Sequence, residues 1–590
     1  MGNVKILNAS AGSGKTFSLS YEYVRSVIEE PSLYKHILAV TFTNKATEEM
    51  KTRILSEIDR LARGEQTVMR DRLRRDLALD DEEIGRRAMR VRGFILHDYS
   101  HFAVLTIDKF FQRVIRSFLR ELGLEINYNL ELHTESLLSG AADALLDSVT
   151  DDAELRERLV GFMRERIEQN KRWNLKEMLL SLGQQVFSDG YRKAEPMLAK
   201  GAEIVERFRS LLNRADAIRE QMRSEAKEAL RLIAEQGLAP SDFKQGKNSF
   251  ASYFVKVAQT GQSPYAKRVS NARVDDTEWY AKNSPHIEKI RSLMPQIRPL
   301  LDSICNTYDR NISFLNSVEL LRRNFHAFTL LGDLRRWTEQ LCAEQNLLPI
   351  SETNHILAQL VADNDTPFIF EKVGNYYARF MIDEFQDTST LQWNNFIPLL
   401  DNALAGEEGH PVLLVGDVKQ SIYRWRGGDW QILGSRVEQD FGTDRVDRFR
   451  LATNYRSMRR IVEFNNALIG RIVELDNLQL DTALDAAVGR GELHPEVRDA
   501  LRGSLAKAYA DYEQSAADRT ERGYVEVSFA DRQDEEEMSR YVIARVEELQ
   551  KRGYRPGDIA VLVRTNREGR TIAAKLLDRK NSSPDSKYCY

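Results

Sequence analysis

The sequence predicts an α/β protein: two parallel-sheet units, the second incomplete, with a large all-helical block inserted into the first. Three observations carry this expectation. Short apolar runs alternate with amphipathic stretches near both ends of the chain, as in parallel strands joined by helices. The run Val4 to Leu7 leads directly into ASAGSGKT (Ala9 to Thr16), and the run Phe380 to Ile382 leads into the acids Asp383 and Glu384. Several hundred residues of largely helical pattern separate those two strings, too many for one simple sheet unit.

The elements follow in order. After the Gly-rich string, Phe17 to Glu29 reads as a helix, Ile37 to Phe42 as a second strand and Lys45 to Leu61 as a helix with charged faces. Phe102 to Ile107 reads as a third strand, leading into a helix from Lys109 to Leu122. The pattern then becomes amphipathic and rich in Arg and Glu, for example over Ile204 to Gln236. The Gly, Ser, Asn and Pro scattered through Ala239 to Ser284 predict an irregular loop region there. Strand signals return at Arg379 to Ile382 and Pro411 to Val415. A second unit is expected from 436, with strands at Tyr524 to Phe529 and Asp558 to Val563 around a helix from Asp534 to Arg552. NSSPDSKYCY, at 581–590, reads as a loop running into a further strand. The expected boundaries are 1–134 and 331–435 for the two parts of the first unit, 135–330 for the helical insertion and 436–590 for the second unit.

Composition narrows the class. At 590 residues with 29% charged residues and a net charge of −4, the chain has no overall basic footprint, so contacts with nucleic acid must be local. Cys305, Cys342 and Cys589 are far apart and show no metal-ligand spacing, which argues against a zinc or iron–sulfur site. No apolar run approaches the roughly 18 residues that span a bilayer. No secretory signal opens the sequence, and Ile6 stands where a myristoylation signal at Gly2 wants Ser or Thr. A cytoplasmic protein without membrane contact is expected.

ASAGSGKT has the chemistry of a phosphate cradle. Gly12 and Gly14 permit backbone angles closed to other residues, so the N–H groups of Ala9, Ser10, Ala11, Gly12, Ser13 and Gly14 can converge on phosphate oxygens. A helix beginning near Lys15 adds the positive end of its dipole. Lys15 then neutralises the β- and γ-phosphates of ATP while the Thr16 hydroxyl reaches Mg²⁺. Ala9 stands where the first glycine of the usual pattern is expected.

The downstream acids complete such a site. An apolar strand that ends in carboxylates places them at the carboxyl edge of an open sheet, where chemistry is done. Asp383 is suited to the Mg²⁺ shell, and Glu384 to orienting and deprotonating a water molecule. Gln386, Asp387 and Thr388 accompany them.

Five strings occur in order: AVTFTNKATEEMKTRI (39–54), TIDKFFQRVIRSF (106–118), DEFQDT (383–388), VGDVKQSIYRWRGGD (415–429) and TNYRS (453–457). With them the chain resembles the superfamily 1 DNA helicases related to UvrD, PcrA and Rep, and within these the RecB and AddA helicase–nuclease branch. The ASAGSGKT-Phe opening, Thr-Ile-Asp-Lys-Phe and the long insertion favour that branch. The resemblance implies two RecA-like P-loop domains with ATP between them, Lys15, Asp383, Glu384, Gln420 and Arg456 as the hydrolytic set, and Thr16 and Asp383 on Mg²⁺. It assigns Gln420 to sensing the γ-phosphate, Arg456 to reaching it from the second domain and Tyr455 to packing on adenine. It places Phe42, Asn44, Thr106, Tyr423, Trp425 and Arg426 along single-stranded DNA, with Phe42, Tyr423 and Trp425 stacking on bases. Aromatic faces stack on any base, which suits a motor that ignores sequence.

The resemblance further implies ATP-dependent 3′ to 5′ translocation from DNA ends in double-strand-break repair and recombination, with a partner subunit that is a nuclease or helicase. The alternatives are a repair helicase without a nuclease and a non-catalytic DNA- or partner-binding scaffold; a P-loop kinase or GTPase fits the two acids and the aromatic string poorly. Two departures stand out. Only eight residues precede Ala9, so the adenine-reading glutamine segment of the compact relatives has no place. The family's Thr-x-His-x-x-Lys-Gly-Leu-Glu string, its second catalytic arginine segment and any nuclease motif have no match. The chain therefore reads as the leading piece of a longer protein, with weak ATPase of its own.

Overall fold

The computed structural model describes residues 4–117, 129–131, 134–168, 174–188, 190–191, 195, 201–322, 324–349, 352, 355–358, 377–406, 411–424, 427–490, 492–517, 520–529 and 535–582. It contains two compact units: residues 1–456 with 466–517, and residues 457–465 with 518–590.

The first unit is organised by a parallel sheet. Its strands are β1 (Val4–Ala9), β2 (Ile37–Thr41), β3 (Val104–Thr106), β6 (Arg379–Ile382), β7 (Val412–Gly416) and β8 (Val446–Leu451), in the spatial order β3-β2-β6-β7-β1-β8. All five pairings are parallel. The inner strands are apolar on both faces, and alternation sends their side chains to two separate cores. Val4, Ile6, Leu38, Val40, Phe380, Ile382, Val412 and Leu414 join one core; Leu7, Ile37, Ala39, Met381, Leu413 and Val415 join the other. On the second face lie α1 (Lys15–Glu29), α2 (Asn44–Ala62), α3 (Val68–Leu77) and α4 (Asp81–His97). On the first lie α5 (Ile107–Ser117) and the helix Thr390–Gly406, which buries Phe396 against Phe110 and Phe111 and Trp393 against Phe385 and Phe441. Thr43, Thr67 and Asp80 cap α2, α3 and α4 through their side chains, each worth about 1 kcal/mol. Helices on both faces leave the carboxyl ends of β1, β6 and β7 side by side along one edge.

Between β3 and β6 the chain leaves the sheet. Strand β4 (Asn129–Glu131) pairs in parallel with β5 (Leu347–Pro349), so the segments that enter and leave the helical block meet at its base. The long helices Gly201–Glu235 and Ile287–Arg322 enclose one apolar core, and Thr134–Asp147, Ala153–Glu168 and Phe325–Gln345 enclose another. The boundary expected at 330 falls inside Phe325–Gln345, whose Leu330 and Leu334 belong to the block's core. The loop expected over Ala239 to Ser284 also differs. Phe243, Phe250, Phe254 and Trp279 collapse together, and the helices Ser252–Thr260 and Lys267–Val274 form around them. Buried aromatics outweigh the turn-forming residues between them.

Strand β8 moves the boundary expected at 436, because residues 446–451 add to the first sheet beside β1. A two-residue parallel pair, β9 (Thr453–Asn454) with β10 (Ser515–Ala516), follows it. The helix Arg459–Gly489 comes next, with its residues 466–489 in the first unit.

The second unit contains the helices Glu535–Lys551 and Asn566–Ser582, joined by an ion pair of 3.0 Å between Arg579 and Glu547. The expected strands at 524–529 and 558–563 do not form among its described residues. Strand structure needs a neighbouring ladder to satisfy the backbone, and neither segment has one among the described residues; Phe529 is 97% and Leu562 95% exposed. The end of the predicted helix at Leu122 and the closing loop from 583 lie outside the described residues. No helix among the described residues is long and apolar enough to cross a membrane.

Candidate nucleotide site and single-strand interface

The phosphate loop grows out of the buried end of β1. The Ser13 amide and hydroxyl both donate to the Ser10 carbonyl, at 3.1 and 2.7 Å, closing the turn. Gly12 and Gly14 have φ of +77° and +85°, which L side chains rarely adopt. Helix α1 starts at Lys15 with Gly14 at its cap and no side chain bonded to the first-turn N–H groups. That turn is therefore presented to an anion. Ser10 and Ser13 are buried, Ala11 is exposed and Thr16 is half-buried at the base of the loop.

Strand β6 delivers the acids to the same edge. The Asp383 N–H donates to the Val40 carbonyl at 2.9 Å, and the next residue, Glu384, turns out of the sheet with φ +50°, a strained angle for a non-glycine residue. The turn points its carboxylate at the loop: the Lys15 ammonium donates to Glu384 Oε2 at 2.9 Å and to Gln420 Oε1 at 3.1 Å. Sequence positions 15, 384 and 420 thus converge on one ammonium group.

The two acids have opposite electrostatics. Burial, with the neighbouring Glu384 charge, pushes the Asp383 carboxyl up to about 6 against the attraction of Lys15. Burial also works to raise Glu384, but the Lys15 charge and the Gln386 amide outweigh it and hold that carboxyl below its ordinary value. A third acid, Asp387, is pushed up to about 6 by burial, against a hydrogen bond from the Ile422 backbone. Such paired carboxylates with separated ionisation suit a site that binds a cation and moves a proton.

Gln386 ties these groups together. Its amide donates to Glu384 Oε2 at 2.8 Å while its carbonyl oxygen accepts from the Asp417 N–H at 3.0 Å. Strand β7 ends at Gly416, where a Cβ would lie 2.7 Å from Gln386 Oε1 and 2.8 Å from Leu433 Cδ2, so only glycine lets the amide approach. Beyond it, Asp417 Oδ2 accepts from the Gln420 amide at 2.7 Å.

The segment after Gln420 is laced to the acidic turn. Ser421 Oγ donates to the Gln386 carbonyl at 3.2 Å, the Asp429 N–H donates to the Thr388 carbonyl at 3.0 Å, and Gly428 bridges Ser389. Within it the Tyr423 ring lies 4.7 Å from the Phe42 ring at a 37° tilt, pairing two of the expected base-stacking residues. Ile422 beside them is 70% exposed. Asn44 is exposed at the start of α2. Thr106, also expected on the strand path, is buried at the end of β3, where its hydroxyl accepts from the Lys109 N–H at 3.3 Å. Trp425 and Arg426 lie outside the described residues.

Thr453 to Arg456 of TNYRS belong to the same unit as the phosphate loop and lie against it. The Tyr455 N–H donates to the Gly12 carbonyl at 2.8 Å, and Asn454 Nδ2 donates to the Ala11 carbonyl at 3.2 Å. A Cβ on Gly12 would lie 2.7 Å from Asn454 Oδ1 and 3.0 Å from Arg456 Cβ. Tyr455 and Arg456 are exposed beside the loop. Gln514, which no sequence signal singled out, also donates to the Ala11 carbonyl, at 2.9 Å. Gln386 was legible as part of DEFQDT, but its bridging of two strand ends was not.

The comparisons with known proteins agree with this architecture. The family model for the UvrD/REP helicase N-terminal domain matches residues 1–441, and that for the UvrD-like helicase C-terminal domain matches 449–581. The chain is 25% identical over 479 residues to the RecBCD enzyme subunit RecB of Chlamydia pneumoniae, covering 79% of this chain and 42% of that protein. It is 25% identical over 561 residues to an ATP-dependent helicase/nuclease subunit of Levilactobacillus brevis, covering 88% and 41%. To the like-named protein of Lactococcus lactis subsp. cremoris it is 22% identical over 615 residues, covering 97% and 47%. The chain thus spans less than half the length of these relatives. With both family models matched in order and the loop, the acids and the TNYRS segment gathered at one sheet edge, the chain belongs to the UvrD-like helicase family.

Proposed function

We propose that this chain is the ATP-driven motor part of a DNA helicase of the RecB/AddA helicase–nuclease kind, working on single-stranded DNA from DNA ends in double-strand-break repair. The observation that carries the reading is the Lys15 ammonium held between Glu384 and Gln420, at 2.9 and 3.1 Å. A lysine at a Gly-rich helix start, with a sensor amide and a base around it, is the arrangement that phosphoryl transfer to water needs.

The residues fit Mg²⁺–ATP. Uncapped first-turn N–H groups and Lys15 meet the phosphates, and the hydroxyl of Thr16 with the buried carboxylate of Asp383 forms an all-oxygen donor set suited to Mg²⁺. Bound Mg²⁺ supplies charge neutralisation at the β- and γ-phosphate oxygens. Glu384, released from Lys15 as that ammonium turns to phosphate, accepts a proton from the attacking water at its Oε2. Gln420 offers its amide to the γ-phosphate, and Arg456 brings a fixed positive fork to the transferring charge. Tyr455 packs on the adenine. Because Gln420 and Tyr423 share one segment, laced to the acidic turn through Ser421 and Asp429, the state of the phosphate reaches the Phe42–Tyr423 pair by way of a short stretch of chain. Alternate grip by these aromatics walks the motor 3′ to 5′.

The workplace is the cytoplasm, and the partner is a nuclease or helicase chain, in keeping with the names of the relatives. Measuring ATPase with and without single-stranded DNA, in this chain and its Lys15→Ala form, tests the reading. DNA-stimulated hydrolysis lost in Lys15→Ala is expected; equal rates in the two forms contradict it.

A further inference from the structure

Residues 509–517 form a strap that returns to the nucleotide site from far along the chain. At one end, Asp511 Oδ1 lies 2.6 Å from the Lys419 ammonium, which is also 2.8 Å from Asp417 Oδ1. At the other, Gln514 Nε2 donates to the Ala11 carbonyl at 2.9 Å, and Asn454 Nδ2 donates to Gln514 Oε1 at 2.9 Å. The backbone is tied as well: the Ser515 N–H donates to the Ala452 carbonyl and the Ala517 N–H to the Asn454 carbonyl, each at 2.9 Å, and Arg450 donates to the carbonyls of Asp511 and Glu513. The contacts close a ring. From the phosphate loop it runs through Lys15 to Gln420, from Gln420 Nε2 to Asp417 at 2.7 Å, through Lys419 to Asp511, and back through Gln514 to Ala11.

We propose that Asp511 is a positioning residue which, through Lys419 and Asp417, holds the Gln420 amide away from the γ-phosphate, so that strap docking and nucleotide binding oppose one another. The proposal rests on the reading of this edge as an ATP site. Lys419 is shared between two carboxylates, of which Asp417 is buried and Asp511 about one-third exposed. Asp417 sets the direction of the Gln420 amide, and turning both N–H donors of Nε2 onto phosphate oxygens breaks that contact. Asp417 then keeps only Lys419 as its charged partner and draws the ammonium from Asp511, because an unpaired buried carboxylate costs more than an unpaired exposed one. The strap loses the ion pair at its Asp511 side chain and loosens there, while the Gln514 bond to Ala11, the Arg450 bonds to the Asp511 and Glu513 carbonyls and the backbone pairing with residues 452 and 454 still hold it. By linkage, whatever weakens the strap strengthens nucleotide binding by the same factor. A purely structural strap has the opposite sign: loosening it would disorder the loop and weaken binding.

The test uses the 590-residue chain, its Asp511→Asn variant and a Lys419→Arg variant that keeps the charge. Amide hydrogen exchange over 509–517 is followed without nucleotide and with Mg²⁺–ATPγS, alongside equilibrium binding of the same nucleotide. Without nucleotide, Asp511→Asn raises exchange in the strap by about fivefold, the size expected of a partly exposed ion pair, while Lys419→Arg stays close to wild type. With nucleotide, wild-type strap exchange rises, and Asp511→Asn binds the nucleotide about threefold to fivefold more tightly. Unchanged apo exchange in Asp511→Asn, weaker binding by that variant, or nucleotide that binds wild type without altering the strap each overturn the proposal. A wild-type chain that binds no nucleotide overturns the ATP reading instead, while the apo exchange still decides whether Asp511 anchors the strap.

Discussion

The Lys15 ammonium meets Glu384 Oε2 at 2.9 Å although 369 positions separate the two residues in sequence. The parallel sheet makes this possible. Strand β1 ends in the loop that carries Lys15, β6 ends in the turn that carries Glu384, and only β7 stands between them. The helical block is inserted between β3 and β6, which only β2 separates in the sheet.

If Glu384 is the proton acceptor, Glu384→Gln leaves nucleotide binding largely intact and removes turnover. The glutamine keeps a carbonyl oxygen for Lys15 but has lost its basicity. A fall of about 10²-fold or more in kcat is expected, with little change in KM. Steady-state and single-turnover ATPase of the two forms measure it.

Asp383 is held at the site against its own stability. Its folded-state carboxyl is raised to about 6 from 3.8, so the folded chain retains a proton that the unfolded chain has lost. Its penalty is therefore absent below about pH 4 and grows as pH rises through about 6. Without Mg²⁺, Asp383→Asn should stabilise the protein at pH 7 by on the order of 2 kcal/mol, and the gain should vanish near pH 4. Thermal melts at the two pH values check the sign. Mg²⁺-dependent hydrolysis in that variant should be abolished.

Gly416→Ala tests the packing that aims Gln386. The added methyl meets Gln386 Oε1 at 2.7 Å and Leu433 Cδ2 at 2.8 Å. Neither atom can retreat freely, since Gln386 Oε1 accepts from the Asp417 N–H and Leu433 is buried. Destabilisation of about 1–3 kcal/mol is expected in a denaturant titration. Activity should fall beyond what the lost stability explains, because Gln386 also holds Glu384.

Phe42→Ala and Tyr423→Ala each remove one ring of the tilted pair 4.7 Å apart. Each should weaken single-strand binding by about 1–3 kcal/mol, alike for homopolymers of different base. Fluorescence anisotropy with labelled oligonucleotides reads this directly. Unchanged affinity would assign the pair to packing alone.

The strands that end in motif residues were legible in the sequence because burial on both faces leaves continuous apolar runs. β1, β2, β6 and β7 lie where those runs predict them. Helices α3 and α4 and the helix Asn566–Ser582 lacked the same clarity amid their charged residues, and the aromatic core around Trp279 was hidden by the Gly, Ser and Pro between its members. The strands expected at 524–529 and 558–563 failed for a different reason. A β-propensity pattern states what a segment can do, while the ladder that would satisfy it belongs to other segments. In the site, residues with unusual local chemistry stand out in the sequence, namely the glycines, Lys15 and the acid pair, while Gln420 is singled out only by the family resemblance. Asn454, Gln514, Asp511 and Lys419 carry ordinary side chains, and their importance comes only from long-range placement around Ala11 and Asp417.

The central claim is that the edge formed by Lys15, Asp383 and Glu384 receives a nucleoside triphosphate. Equilibrium binding of Mg²⁺–ATP to the 590-residue chain and its Lys15→Ala variant tests it most directly. Saturable binding that the variant weakens by about tenfold or more, the worth of a charge-assisted contact, is the predicted result. Equal affinity in the two proteins, or no binding by the unaltered chain, would contradict it.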